Sequence, residues 1–140
     1  MSADVDVSQA MLAKWATSAL PASVPGGIAA DDLVKPDTRP WARILCKQGP
    51  KRNEYTSGKE YIDYRDVTIE IYGVGKAAIG AIVDLAAALF DDQPLTIPGV
   101  PVLRVEPLGH VIDKEQKKRQ GDDFRAARMR WCVWTQRRQA

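Results

Sequence analysis

Residues 61–72 read YIDYRDVTIEIY. Val67, Ile69 and Ile71 alternate with Asp66, Thr68 and Glu70, the period of two expected of a strand covered on one side. Gly73-Val-Gly75 follows and is expected to end the strand. From Lys76 to Phe90 the period becomes helical: Ala78, Ile82, Leu85 and Leu89 form one stripe, joined by Ile79 and Ala86. Gly80 costs such a helix about 1 kcal/mol relative to alanine. The many alanines suit a close approach to a sheet.

Upstream, Asp6 to Leu20 reads as a helix with Asp6 as cap and Gln9 reaching back to it. Met11, Leu12, Trp15 and Ala19 make its apolar stripe, and Pro21 is expected to stop it. Residues 21–40 hold four prolines and Gly26-Gly27, so they read as a connector. Trp41 to Lys47 is a strand candidate, and residues 47–59 a long loop. Downstream, Asp91-Asp92-Gln93-Pro94 stops the second helix, and Leu95 to Ile97 reads as a short edge segment. Val100 to Leu108 is a strand whose two prolines, Pro101 and Pro107, suit an edge or an imperfect ladder. Residues 110–122 read as a long loop or an extended hairpin tip. In the final strand, Phe124 to Gln136, Ala127, Met129, Trp131 and Val133 face one way, and Arg128, Arg130 and Trp134 the other.

The order α-β-β-α-β-β predicts an α+β fold: a mainly antiparallel sheet of about four strands with helices on one face. The expected core is Trp15, Val67, Ile69, Ile71, Ile82, Leu85, Leu89, Met129, Trp131 and Val133. At 140 residues, 45% hydrophobic and 27% charged, the chain fits one domain over residues 1–140. No apolar run approaches the roughly 18 residues of a membrane span, so no membrane association is expected. The acidic start MSADVDV carries no expected secretory signal.

Charge is uneven. The net charge is +2, yet from Lys117 onward eight basic residues face only Asp122 and Asp123. Such asymmetry suits nucleic acid, an acidic protein surface, or a plain solvated strand. Cys46 and Cys132 are 86 positions apart inside apolar runs, and read as buried reduced thiols of an intracellular chain; a bridge between neighbouring strands is the other option. With one histidine, His110, no zinc set can be assembled, and no metal is expected.

Gly73-Val-Gly75-Lys-Ala-Ala78 matches G-x-G-x-x-G/A between a strand and a helix, the setting of a dinucleotide fingerprint. It lacks a second parallel strand ending in an acid about 20 residues on. The other reading is that the glycines make a tight exit from the strand. Asp113 with Glu115, or Asp122 with Asp123, are adjacent carboxylates in a lysine-rich stretch, which suits solvated ion pairs better than acid–base work. No nucleophile, base and orienting group come together, so neither an enzyme nor a cofactor is expected. Basic residues and Tyr55, Tyr61, Tyr64 and Tyr72 interleave as in a nucleic-acid surface or a subunit interface.

Taken in order, the strand from Tyr64 to Gly73, the alanine-rich helix, Leu103-Arg-Val-Glu-Pro107, the charged loop and Asp123-Phe-Arg-Ala-Ala-Arg128-Met-Arg-Trp-Cys-Val133-Trp resemble the tail terminator (tail completion) proteins of long-tailed bacteriophages, over residues 7–138. The resemblance implies a small subunit that assembles into a hexameric ring. The ring caps the head-proximal end of the tail tube, ends its polymerisation and meets head-side neck proteins. It implies a virion location in the tail or neck, with assembly in the host cytoplasm, and no catalytic residues.

A head-to-tail ring needs two different complementary patches. Asp31, Asp32, Asp37, Asp63 and Asp66 against the basic C-terminal region could supply them. The expected interface residues are Arg52, Tyr55, Tyr64, Asp66, Lys117, Lys118, Arg119, Arg128 and Arg130, with Lys117–Arg119 alternatively facing genomic DNA in the lumen. Another head–tail joining or neck subunit, and a small nucleic-acid-binding module, are the competing readings.

Overall fold

The alternating stretch lies in the longest strand of the computed structural model, which describes residues 3–30, 38–48, 54–56, 58–113 and 124–138. The elements are helices α1 (Ala3–Ala16), α2 (Leu20–Ser23) and α3 (Ile79–Phe90), and strands β1 (Ile28–Ala30), β2 (Trp41–Gln48), β3 (Glu54–Tyr55), β4 (Glu60–Gly75), β5 (Val102–Asp113) and β6 (Phe124–Arg138). The sheet runs β1-β2-β4-β6-β5, with β3 on the β2 side of β4. The fold is therefore α+β, but the sheet has six strands and is mixed, because β1 runs parallel to β2. The missed strands are β1 and β3, of three and two residues. Neither is long enough to show an alternation.

Strand β4 does not end at Gly73. Its ladder with β6 runs from Glu60↔Arg138 to Ile71↔Ala127, shifts register, and resumes at Val74↔Arg125. Gly73 sits in the shift at φ 72°, a left-handed conformation that glycine adopts without a Cβ penalty. The G-x-G-x-x-A segment is thus a bulge in a strand whose neighbours β2 and β6 are both antiparallel, and not the turn of a parallel nucleotide fold.

One core lies between the helices and the odd-numbered face of β4. Val67, Ile69 and Ile71 meet Ala42 and Ile44 of β2, Ala127, Met129, Trp131 and Val133 of β6, and Val7, Met11 and Trp15 of α1. From α3 come Ile79, Ile82, Ala86 and Phe90. Leu85, expected in the core, is instead 39% exposed, and Leu89 is only partly buried. At 3.6 residues per turn Leu85 lies about 100° round the helix from the centre of the buried stripe. The apolar positions of α3 exceed one face, so period alone cannot fix the phase.

Helix α1 begins at Ala3, which places Asp6 inside the helix and not at its cap. It stops at Ala16, and Pro21 lies in the first turn of α2 behind Leu20, where the missing N–H is no loss. Lys14 Nζ donates to Pro94 O at 2.6 Å and lies over the Phe90 ring, tying α1 to the end of α3. Of the two readings of residues 110–122, a long loop or an extended hairpin tip, residues 110–113 follow the second: they extend β5 opposite Ala126–Met129 as one arm of a long hairpin.

Ile82→Ala is expected to cost about 2–5 kcal/mol in urea unfolding. Leu85→Ala should stay within about 0.5 kcal/mol of the parent, as exposed positions do.

Candidate assembly surface

The even-numbered positions of β4 point away from the helices. Among them Asp66 and Glu70 are only 4% and 6% exposed, although none of the described helices covers them. Long cross-strand side chains cover them instead. Arg43 of β2 and Arg128 of β6 both stand opposite Glu70. Glu70 accepts from Arg43 Nε at 2.7 Å, Tyr72 Oη at 2.9 Å and Arg128 Nη2 at 3.4 Å. Arg130 Nη2 reaches Asp66 at 3.4 Å, and Lys47 lies across from it. Burial alone would push the Glu70 carboxyl up. The hydrogen bonds from Tyr72 and Arg43 and the charges of Arg43 and Arg128 outweigh it, and hold the group below its ordinary range.

Aromatic pairs complete this face. Trp41 stacks on Tyr72 with ring centroids 4.6 Å apart, and Tyr64 meets Trp134 edge-on at 5.3 Å. Arg104 of β5 lies over Trp134 at 5.8 Å while its guanidinium bonds Asp92 and Glu106. Arginine with Tyr and Trp on an open sheet face is the composition of binding surfaces.

A second charged cluster lies at one end of the helix side. Asp63, almost fully buried, takes Arg65 at 2.9 and 3.0 Å, and Arg65 reaches Asp4 of α1 at 3.0 Å. Arg137 grips Asp6 of α1 through two bonds of 2.7 and 2.8 Å and lies 3.7 Å from Asp63. Hydrogen bonding to Asp6 first, and the nearby carboxylate charges, keep the Arg137 guanidinium firmly protonated against the pull of burial. This cluster fastens the start of α1 to the sheet.

The remaining candidate groups are structural. His110 is on β5, not in a loop; its Nε2 lies 2.9 Å from Asp91 Oδ1, which also accepts Trp131 Nε1 at 2.6 Å. Cys46 and Cys132 lie on β2 and β6 with β4 between them, and no disulfide joins them. Burial, and then the charge of Asp4, push the Cys46 thiol up to about 12. Among the described residues no group of three His, Cys, Asp or Glu could hold a metal ion. None of their helices is long and apolar enough to cross a membrane.

Of the expected interface residues, Arg128, Arg130 and Tyr55 are exposed. Tyr64 is 2% exposed and Asp66 is also buried, so neither side chain is displayed to a neighbour. Both are under the arginines and Trp134 of the adjoining strands. Asp63 and Asp66 are engaged within the chain, which removes them from the proposed acidic patch. Arg52, Lys117, Lys118, Arg119, Asp31, Asp32 and Asp37 lie outside the described residues. Sequence reasoning missed Arg43, Arg65 and Arg137. A signal existed for two of them: Asp63 and Arg65 continue the odd register of Val67, Ile69 and Ile71, and Thr135 and Arg137 that of Val133. Charge on the covered face needs a partner there.

No protein-family model matches this chain, and no curated protein sequence does. The fold does match a solved structure: a chain from the virion of a native gene transfer agent particle, at a TM-score of 0.73. The match covers 98% of this chain and 100% of the other, at 13% identity. That likeness is one of fold.

The depressed Glu70 group stabilises the fold fully above the ordinary glutamate pKa of about 4.3. That contribution is lost as pH falls through the lower folded value. In thermal melts the advantage of the parent over Glu70→Gln should therefore be constant near neutrality and shrink in acid. At pH 8 the folded chain should leave Cys46 unmodified by a thiol reagent that labels it at once in denaturant.

Proposed function

We propose that this chain is a structural subunit of a phage-type virion, and within it a tail terminator. Six copies form a ring on the head-proximal end of the tail tube, end its polymerisation and present a surface to the head-side neck proteins. The observation that carries the reading is the end-to-end fold likeness to a virion chain. The order of strand, alanine-rich helix and basic final strand, which resembles the tail terminators, supports that role within the particle. The face of Arg43, Arg128, Arg130 and Trp134 supplies a surface suited to binding and not to bond-making. The ring's partners are then its own copies, the tube protein and the neck proteins, with genomic DNA passing through its lumen. Its place is the virion neck, after assembly in the host cytoplasm.

A different neck subunit is the rival, since the same fold likeness serves it. Particles made without this chain distinguish the two. Loss of a terminator should give tubes of uncontrolled length, whereas loss of another neck subunit should give tails of normal length that fail to join heads. Light scattering on the purified chain should find a discrete species near six subunits at low and high salt. A monomer at every concentration, shifting nucleic acid in low salt only, would overturn the ring in favour of a nucleic-acid-binding module.

A further inference from the structure

We propose that Arg128 and Arg130 form a paired carboxylate-binding site, and that its ligand is an extended acidic segment of a neighbouring virion protein. The proposal rests on the virion-subunit reading and names the chemistry of the partner that meets the open face.

The two arginines stand two residues apart on β6, so their side chains leave the same face of the sheet, with Cα atoms about 6.8 Å apart. Each is pinned from below. Arg128 Nη2 reaches Glu70 and Arg130 Nη2 reaches Asp66, both at 3.4 Å, and both carboxylates are buried. One long contact leaves most of a guanidinium uncommitted, because its planar fork carries several N–H donors. The two side chains are accordingly 63% and 45% exposed. The acids of β4 therefore hold two forks at a fixed spacing on the open face. A carboxylate takes such a fork through two parallel hydrogen bonds. Carboxylates two residues apart on an extended chain repeat at the same ~6.8 Å. Filling the site breaks nothing beneath it, and Glu70 also keeps its bonds from Arg43 and Tyr72.

The competing anion is a phosphodiester backbone. Its affinity for a cationic surface grows with the number of phosphates neutralised. Here Asp66 and Glu70 offset the two arginines at short range, so the pair offers donors at contact and only a small field beyond it. The surroundings favour protein as well. Val111 of β5 pairs with Arg128 and is 59% exposed, while Thr68 and Leu45 continue the row of Arg130 across β4 and β2. Paired residues share a face of the sheet. An acidic protein segment can lay its side-chain stems over Val111 and Leu45, whereas a phosphate gains nothing from apolar area.

The test follows the Nε–H signals of Arg128 and Arg130 by nuclear magnetic resonance in the whole chain. The probe is a short peptide of alternating glutamate and threonine. The two signals should move together and saturate. The same residues arranged as a glutamate block and a threonine block should bind more weakly, because their carboxylates no longer repeat on one side. An oligothymidylate of equal charge should bind no better than the blocked peptide. Arg128→Lys with Arg130→Lys keeps both charges and removes both forks; it should melt like the parent and bind the alternating peptide about tenfold more weakly. Equal affinity for the two peptides, undiminished binding by the lysine variant, or arginine signals that do not move overturns the proposal. Tighter binding of the oligothymidylate also overturns it and gives the face to nucleic acid. The parent's signals locate the contact even where the lysine variant fails to fold. Failure of these titrations leaves the virion reading standing, whereas normal particles made without the chain would overturn that reading with the titrations unchanged.

Discussion

Strand β4 lies between β2 and β6 and is covered on both faces, but only one of those faces is apolar. Val67, Ile69 and Ile71 go under the helices, whereas Asp66 and Glu70 are buried on the side away from every described helix. Carboxylates removed from water require cations and hydrogen-bond donors at close range. Arg43, Arg128, Arg130 and Tyr72 meet that requirement from the flanking strands and from β4 itself. The chemistry of the open face follows from this demand: it is rich in arginine because the strand beneath it is acidic.

That arrangement changes the meaning of the basic C-terminal stretch. Arg128, Arg130, Arg137 and Arg138 each have a carboxylate partner in the same chain. Much of the apparent surplus is internal neutralisation, which weakens the case for an electrostatic footprint on nucleic acid. Among the described residues, what remains for a partner is shape, aromatic area and the outer guanidinium edges of Arg128 and Arg130.

The long strands and the two principal helices were legible because their patterns are local. Alternation at 66–71 and 127–133, and the alanine-rich apolar run of α3, name their elements without help from distant residues. The phase of α3 was not legible, since Leu85 and Ile79 are equally apolar and only the neighbouring sheet chooses between them. The parallel strand β1 has three residues, and its sole reason to be a strand is the partner at Ala42–Ile44. The buried ion cluster depends on tertiary proximity too. Asp63, Arg65 and Arg137 break the apolar register openly, but their partners Asp4 and Asp6 sit in a helix whose start the capping pattern misplaced. The candidate surface was half legible: Arg128 and Arg130 were visible on an outward-facing register, whereas Tyr64 and Asp66 shared that register and were nonetheless covered by their neighbours.

The bond between Asp6 and Arg137 spans 131 positions, and that between Asp66 and Arg130 spans 64. Contacts so far apart cannot form until the later partner has been synthesised. At ~5–20 residues per second, β6 leaves the ribosome on the order of several seconds after β4. During that interval the isoleucines of β4 lack their roof on the β6 side, and α1 is held to the sheet through Arg65 without the second grip from Arg137. The nascent chain is a sticky half-sheet awaiting its last strand, and chaperones have a claim on it before any sister molecule does.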